Sequence, residues 1–240
     1  QLLEPLGLNE RLIRTSVFRL AKEEWLRTEP IGRRTDYLLT PSGQRRFEEA
    51  SRHIYASSAP LWDRRWRLIV TVGELAPKAR EALRRALFWQ GFGTLGGDCF
   101  VHPSADLSAA FDALLAEGLA DTVGKLKPLL AADAQFGNAA SDVDMVNGAW
   151  NLERLAGVYD GFVGCYQPVL DELRADAAGD IDDESAFLLR ILLIHDYRRL
   201  LLRDPELPDV LLPADWPGQK ARLLCKELYR RLLAPSERHL

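Results

Sequence analysis

Residues 9–43 read NERLIRTSVFRLAKEEWLRTEPIGRRTDYLLTPSG, and this stretch decides how the chain begins its fold. Asn9 is a favourable N-cap residue for a helix that starts near Glu10. Three apolar residues then recur at the i, i+4, i+7 spacing of one helical face: Ile13, Val17 and Leu20. The pattern predicts a helix that runs to about Glu24, with this apolar stripe buried.

The remaining surface of this predicted helix carries long basic side chains and a short hydroxyl. Its residues are Arg11, Arg14, Thr15, Phe18, Arg19 and Lys22. Guanidinium groups reach guanine edges and phosphates in the major groove, and short side chains allow close approach. The pattern is therefore typical of a DNA-recognition helix. The residues expected to contact DNA from this helix are Arg11, Arg14, Thr15 and Arg19.

A hairpin is predicted next. Residues 25–29 and 35–39 are two short strand patterns around a turn at Gly32, and Arg33 and Arg34 lie at its tip. Paired arginines on such a tip are placed to contact phosphates or the minor groove. We therefore expect Arg33 and Arg34 to contact the DNA backbone.

A second helix follows the hairpin in the predicted fold. Thr40 and Pro41 fit the N-cap and the first position of a helix that runs to about Tyr55. Helix, basic hairpin and helix in this order form the latter part of a winged helix-turn-helix. Because the sequence starts with Gln1 and its only methionine is Met145, we expect the first helices of this motif to precede it.

The charge is unevenly distributed along the 240 residues. Residues 11–46 hold nine basic and four acidic residues, a net charge of +5, whereas the whole chain has a net charge of −4. A basic N-terminal segment on an acidic body indicates one surface for a polyanion. The alternative is a solvated arginine-rich surface without a partner.

The middle of the chain predicts a small α/β sandwich. An alternating pattern that is typical of a half-buried strand begins at Trp66. The alternating set on the face of Trp66 is Trp66, Leu68, Val70 and Val72, and the other set is Arg67, Ile69 and Thr71. A helix over 77–90, strands near 94–95 and 99–101, a helix over 107–117 and an apolar segment near Leu129 complete a ferredoxin-like βαββαβ order.

Residues 91–96 spell G-x-G-x-x-G, the pattern of a dinucleotide-binding turn. That turn must follow a strand and open a helix, whereas this one follows a predicted helix and leads into a strand. We interpret it as a helix end followed by tight turns.

The last third of the chain is predicted to be helical. Residues 138–149 are rich in Asn, Gly, Ala and Asp and are interpreted as a connector. Helices are predicted over 152–173, 186–202 and 219–233. The helix over 186–202 is apolar almost all round and is therefore expected to be buried.

The predicted fold class is therefore α+β and multidomain. The three predicted domains are an N-terminally incomplete winged helix-turn-helix DNA-binding domain over 1–58, a ferredoxin-like middle domain over 59–137 and an all-helical C-terminal domain over 138–240.

The sequence lacks the motifs of common enzymes and favours a binding protein without metal or cofactor. His195 and Asp196 are adjacent on a predicted helix, so they point about 100° apart and cannot form a catalytic pair. Asp142 and Asp144 are expected in a solvated loop. The three cysteines lack zinc or disulfide spacing, and no apolar run approaches the roughly 20 residues of a membrane span. We expect a cytoplasmic protein.

Several segments resemble one known family, the PaaX-like transcriptional regulators, which include repressors of phenylacetic acid degradation. The matching segments are 14–20 with Trp25-Leu26, 32–34 with 37–43, Trp62-Asp63 with Trp66 and 91–93, and 195–199 with 203–208, 211–213, Trp216 and Gly218. The resemblance covers nearly the whole chain, and the last group of segments is the most specific.

The resemblance implies a homodimeric repressor that binds the operators of phenylacetate-catabolism genes as double-stranded DNA. It also implies release by an acyl-coenzyme A effector such as phenylacetyl-coenzyme A. The middle domain would be similar in fold to the Cas2 ribonucleases. An alternative function is therefore a metal-dependent nuclease, although residues 71–74 offer only the displaced Glu74 where Cas2 proteins have a metal-binding aspartate.

An acyl-coenzyme A effector needs cations for its phosphates and an apolar slot for its acyl group. The C-terminal signature offers both kinds of residue. The candidate effector-binding residues are Tyr197, Arg198, Arg199, Arg203, Trp216, Lys220 and Arg222. The alternative is a helix–loop clamp held by Arg–Asp pairs and prolines, which would have the same composition.

Overall fold

The computed structural model describes residues 4–32, 34–41, 43–44, 60–132, 139–175 and 181–239. The helices are α1 (Glu10–Lys22), α2 (Pro77–Trp89), α3 (Leu107–Ala116), α4 (Ala120–Val123), α5 (Asp142–Ala149), α6 (Leu152–Ala175), α7 (Asp183–Leu201) and α8 (Pro217–Arg238). The strands are β1 (Leu26–Ile31), β2 (Arg34–Leu39), β3 (Arg65–Thr71), β4 (Gly93–Thr94), β5 (Cys99–His102) and β6 (Leu126–Ala132). This mixture confirms the predicted α+β class.

The tertiary contacts divide the chain into two compact units. The first unit contains Gln1–Ala56, Tyr166–Arg198 and Leu224–Leu240, and the second contains Ser57–Cys165 and Arg199–Leu223. The linear domain boundaries at 58 and 137 stay a prediction.

The first unit begins with the predicted helix and hairpin. The Asn9 side chain accepts a hydrogen bond from the backbone N–H of Leu12 at 3.0 Å, which confirms the predicted N-cap of α1. Strands β1 and β2 pair antiparallel, from Leu26 opposite Leu39 to Ile31 opposite Arg34. The hairpin is therefore the one that the sequence predicts.

The start of the helix after the hairpin is also confirmed. The Thr40 hydroxyl oxygen accepts a hydrogen bond from the N–H of Gly43 at 2.9 Å, and the N–H of Gln44 donates to the Thr40 carbonyl at 2.8 Å. The remainder of this helix, predicted to reach Tyr55, lies outside the described residues.

The predicted burial of the α1 stripe is wrong among the described residues. Ile13, Val17 and Leu20 are only partly covered, and α1 has no fully buried residue. The amphipathic pattern gave the correct inner face. This face is nevertheless only partly buried by the described residues, because the two-stranded β1–β2 hairpin is the main element that contacts α1.

The second unit contains a four-stranded antiparallel sheet in the order β4-β5-β3-β6. Helices α2 and α3 connect its strands, so the βαββαβ order of the ferredoxin-like fold is confirmed. Within this sheet, Ile69 of β3 lies between Phe100 of β5 and Pro128 of β6.

Both faces of β3 are covered, so the prediction of a half-buried strand is wrong. Ile69 is fully buried with Leu83, Leu87 and other residues of α2 and α3 on one face. Trp66, on the opposite face, packs with a second apolar cluster. That cluster includes Val101, Val146, Leu152, Leu207 and Leu211. Its residues come largely from segments far along the chain, which a local alternation pattern cannot reveal.

Residues 142–149 form helix α5 and not the predicted connector. Ser141 and Asp144 form a reciprocal capping box at its start. These hydrogen bonds from Ser141 hold the pKa of Asp144 below its usual value. The side chain of Trp66 donates to Asp142 Oδ1 at 2.7 Å, and Val146 is fully buried. Both aspartates therefore have structural roles that the loop prediction missed.

The C-terminal helices are confirmed, with one correction. Helix α6 buries Tyr159, Phe162, Val163 and Tyr166, whereas Leu155 is partly covered. Helix α7 was expected to be buried all round, but Leu192 is 43% exposed and His195 is exposed. In the first unit, Asp196 accepts a hydrogen bond from the Tyr166 hydroxyl at 2.8 Å. His195 and Asp196 are thus directed to different surroundings, as predicted.

The G-x-G-x-x-G segment ends a helix and enters a strand. Gly91, two residues after α2 ends at Trp89, has a φ of +82°, and its N–H donates to the Phe88 carbonyl. A Cβ at Gly93 would lie 2.7 Å from the Ala149 carbonyl oxygen, so close backbone packing explains this glycine. The interpretation as a helix end followed by tight turns is confirmed.

Candidate nucleic-acid interface

Helix α1 presents a continuous basic face. Consecutive residues on an α-helix are turned by about 100°, so positions 11, 14, 15, 18, 19 and 22 fall within an arc of about 140°. Of these, Arg11, Arg14, Thr15 and Arg19 are exposed as predicted, and Phe18 is 72% exposed at the centre of the arc. The three partly covered residues Ile13, Val17 and Leu20 lie on the opposite side of the helix. One face of the helix is therefore available to a partner.

Two arginines on this face have exposed carboxylate partners. Arg14 contacts Glu10 at 2.6 Å, and the Arg19 Nε atom lies 3.9 Å from Glu23. Exposed i, i+4 pairs of this kind contribute only about 0.3–0.5 kcal/mol. Phosphate oxygens can therefore replace the carboxylates at low cost.

Thr15 is less free than its predicted role requires. Its hydroxyl donates to the Arg11 carbonyl at 2.8 Å. The oxygen can still accept a hydrogen bond, but donation to a base or a phosphate requires the hydroxyl to leave the helix backbone. The sequence interpretation missed this bond and both carboxylate partners, although the i, i+4 spacing of Glu10 with Arg14 and of Arg19 with Glu23 indicates both pairs.

The predicted wing contacts fall at the edge of the described residues. The backbone of Arg34 pairs with Ile31, and Gly32 has a φ of +62° in the turn. Arg33 lies outside the described residues, and the side chain of Arg34 is likewise not described. The DNA contacts of both arginines stay a prediction.

The predicted effector-binding residues have different surroundings. In the first unit, Tyr197 is buried and Arg198 is exposed. In the second unit, Arg199, Arg203 and Lys220 are exposed, whereas Trp216 and Arg222 are partly covered. These assignments stay a prediction.

Two of the predicted effector residues take part in a structural cluster. The Trp216 ring lies edge-on to Tyr159 at 5.8 Å, and the Tyr159 hydroxyl donates to Asp204. Burial raises the pKa of Asp204, and this effect is larger than the lowering of the pKa by the Tyr159 hydrogen bond and by the positive charge of Arg222. Trp216 therefore has a structural role in this unit, in keeping with the clamp alternative, and Arg222 contributes positive charge near Asp204.

The middle domain offers no assembled metal centre among the residues that the structure describes. No group of three or more His, Cys, Asp and Glu side chains there is placed to hold a metal ion. Glu74 is exposed, and its carbonyl, rather than its carboxylate, accepts a hydrogen bond from Lys125 at 2.9 Å.

His102, at the end of β5, serves the fold. Its Nδ1 accepts from the N–H groups of Ser104 and Ala105, at 3.0 and 2.8 Å, and its Nε2 lies 3.0 Å from the Pro205 carbonyl. These contacts require a neutral ring that donates from Nε2. Burial lowers the pKa of His102 to about 4, which is consistent with that form.

Within the described ranges, no helix combines the length and the apolar character that crossing a bilayer requires.

Comparison with known proteins gives matches along most of the chain. Residues 1–43 match a family model described as PaaX-like protein, 59–127 match the central Cas2-like domain of PaaX proteins, and 150–240 match the C-terminal domain of PaaX-like proteins. A protein named transcriptional repressor PaaX, from Escherichia coli K12, is 38% identical over 238 residues, which cover 98% of this chain and 72% of that protein.

A solved structure supports the fold alone. An uncharacterized protein from Mycobacterium tuberculosis aligns with a TM-score of 0.59 at 22% identity, over 98% of this chain and 88% of that one.

Proposed function

This chain belongs to the PaaX-like family, and we propose that it is a DNA-binding transcriptional repressor. The observation that carries the proposal is the exposed basic face of α1, directly followed by the β1–β2 hairpin. A helix with this face fits the major groove, and its arginines match phosphates and guanine edges. The relative from Escherichia coli, which is named a transcriptional repressor, supports the same function.

The protein acts on DNA as a homodimer in this proposal. Two copies would read two half-sites about one helical turn, or a multiple of it, apart. Arg11, Arg14, Thr15 and Arg19 make the groove contacts, and the wing residues Arg33 and Arg34 contact the backbone.

The regulated genes are proposed to be those of phenylacetate catabolism, in the cytoplasm. An acyl-coenzyme A effector such as phenylacetyl-coenzyme A releases the operator by favouring a dimer geometry in which the two recognition helices no longer match the half-sites. Tyr197, Arg198, Arg199, Arg203, Trp216, Lys220 and Arg222 stay the sequence-based candidates for effector contacts.

The protein is proposed to have no enzymatic activity. The name of the relative indicates repression rather than catalysis, and no metal-binding cluster of the described residues supports the nuclease alternative. The Cas2-like domain then serves as a scaffold.

The general test is a binding measurement on the full chain. The probe is a labelled duplex carrying the sequence upstream of its own gene, with phenylacetyl-coenzyme A added as the effector. The proposal expects binding tighter than to a scrambled duplex and loss of the complex with the effector. Equal binding to both duplexes contradicts a specific repressor.

The wing is tested by replacing Arg33 and Arg34 together with alanine. We expect weaker binding to every duplex, because phosphate contacts carry no sequence information. We also expect the slope of log affinity against log salt to become about 1.8 shallower, since each lost phosphate contact changes it by about 0.9. Fluorescence anisotropy at several salt concentrations measures both, and unchanged affinity and slope refute the wing assignment.

Glu10→Gln tests whether the exposed carboxylate competes with DNA for Arg14. Because the Glu10–Arg14 pair lies on the proposed interface, its removal should strengthen binding about two- to fivefold at low salt. Glu81→Gln, an equal charge change on an exposed residue of α2, serves as the control and should have no effect. Unchanged binding by the Glu10 variant, as in the control, would place this end of α1 away from the DNA.

A further inference from the structure

An open groove in the second unit is lined by four segments that are distant in sequence. Residues 61–65 lead into β3, Ala132 ends β6, residues 141–143 begin α5, and residues 210–211 lie within the C-terminal signature. The groove has a volume of about 810 Å³. Small-molecule sites occupy roughly 300–1,000 Å³, so the groove has room for a sizeable ligand.

One part of the groove is lined by exposed aliphatic side chains. Leu61 is 96% exposed, Val210 74% and Val143 53%. Single exposed aliphatic residues are common, but three around one concave surface favour an apolar occupant.

The same groove carries two arginines. Arg64 and Arg65 are exposed, and within the described residues neither has a carboxylate partner within 4 Å. The carboxylate of the adjacent Asp63 is paired with Arg67, whose guanidinium donates hydrogen bonds of 2.6 and 3.0 Å to it. Asp142 adds a second negative charge at the groove beside that of Asp63, and its Oδ1 accepts a hydrogen bond from Trp66. The two guanidinium groups therefore remain available to an anion.

The segment that carries these arginines is held in place before any ligand arrives. The Trp62 indole donates to the Arg65 carbonyl at 3.3 Å, and the Arg65 N–H donates to Asp63 at 3.0 Å. Arg64 has a φ of +58°, a left-handed conformation that is unfavourable for a side chain of this size. Strain of this kind is often retained where a side chain has to be presented for function.

We propose that this groove binds an amphipathic anion, a small molecule that joins phosphate groups to an apolar group, with Arg64 and Arg65 holding the phosphates and Leu61, Val143 and Val210 covering the apolar end. The inference locates a ligand site for the proposed repressor and rests on that function only for the choice of probe. It competes with the C-terminal residues predicted from the sequence.

The test is calorimetry on the full chain with phenylacetyl-coenzyme A. Coenzyme A and phenylacetate are used separately to distinguish phosphate from acyl recognition. Arg64→Gln/Arg65→Gln should weaken binding of phenylacetyl-coenzyme A and of coenzyme A at least tenfold, and leave DNA binding unchanged. The matched control is Arg84→Gln/Arg85→Gln, an adjacent exposed pair on α2 that does not line the groove, and it should bind as the wild type does.

A second variant separates ligand binding from folding. Arg64→Gly removes the guanidinium while it relieves the positive φ, so its melting temperature should equal or exceed that of the wild type while its ligand affinity falls. Wild-type affinity in both Arg64 variants overturns the inference. So does a loss confined to Arg199→Ala/Lys220→Ala, which would move the site to the C-terminal signature.

Failure of the groove inference and failure of the repressor function would give different results. A wild-type protein that binds the upstream duplex but none of the three probes overturns the groove inference alone. A protein that binds a probe in the groove but no DNA overturns the repressor function and leaves the groove.

Discussion

Replacing Arg14 and Arg19 together with alanine is expected to lower affinity for the upstream duplex at least about 100-fold at roughly 150 mM salt. Each charge-assisted contact of a guanidinium contributes about 1.5–3 kcal/mol, and 1.4 kcal/mol corresponds to a factor of ten. If both contacts are to phosphates, the salt slope should also become about 1.8 shallower. Fluorescence anisotropy across several salt concentrations measures both quantities.

The substitution should leave the fold intact. Alanine is the best helix former, and the lost pairs with Glu10 and Glu23 are exposed and weak. Circular dichroism melts check this, and Arg84→Ala/Arg85→Ala supplies the same charge change on α2. An equal loss of affinity in that control would show that net charge, and not the face of α1, controls binding.

His102→Ala is expected to lower the free energy of unfolding by about 4 kcal/mol. The variant leaves the N–H groups of Ser104 and Ala105 and the carbonyl of Pro205 without their side-chain partner, and it opens a cavity in a buried position. Unsatisfied buried polar groups cost about 1–3 kcal/mol each, and partial relaxation reduces their sum. Urea unfolding at neutral pH measures the change.

The same histidine should make the wild type sensitive to acid. The pKa of His102 is lowered to about 4 in the folded protein, whereas an exposed histidine titrates near 6.5. The unfolded chain therefore takes up a proton first, and the contribution that is complete above about pH 6.5 is lost as the pH falls towards 4. By pH 5 the loss should reach about 2 kcal/mol relative to pH 7.5.

The variant supplies the control for this pH dependence. Other groups titrate in the same interval, so the informative quantity is the difference between wild type and His102→Ala. That difference should shrink by about 2 kcal/mol between pH 7.5 and pH 5. A constant difference would mean that His102 takes up its proton over the same pH range in the folded and unfolded chains, so that folding does not lower its pKa.

Local signals predicted the elements of the fold well. The Asn9 cap, the Gly32 turn and the Pro77 helix start are each set by a few neighbouring residues, and the structure has all three. Burial was predicted less well, because it depends on segments distant in sequence. Ile69 is covered on its face by α2 and α3, and the Gly- and Asn-rich composition hid a capping box at Ser141.

The candidate interface and the groove also differ in how far the sequence alone could predict them. The basic face of α1 follows from the 3.6-residue period alone, so Arg11, Arg14 and Arg19 could be placed from the sequence. The groove could not, since Arg64, Val143 and Val210 meet only after folding.

Photo-crosslinking from position 18 tests the central claim most directly. Phe18 is 72% exposed at the middle of the basic face, and benzoylphenylalanine is a close replacement for it. Irradiation of the variant with the labelled upstream duplex should yield a covalent protein–DNA adduct. The same group at Leu115, an exposed apolar residue of α3, should yield none. Adduct from Leu115 but not from position 18 would contradict α1 as the recognition helix.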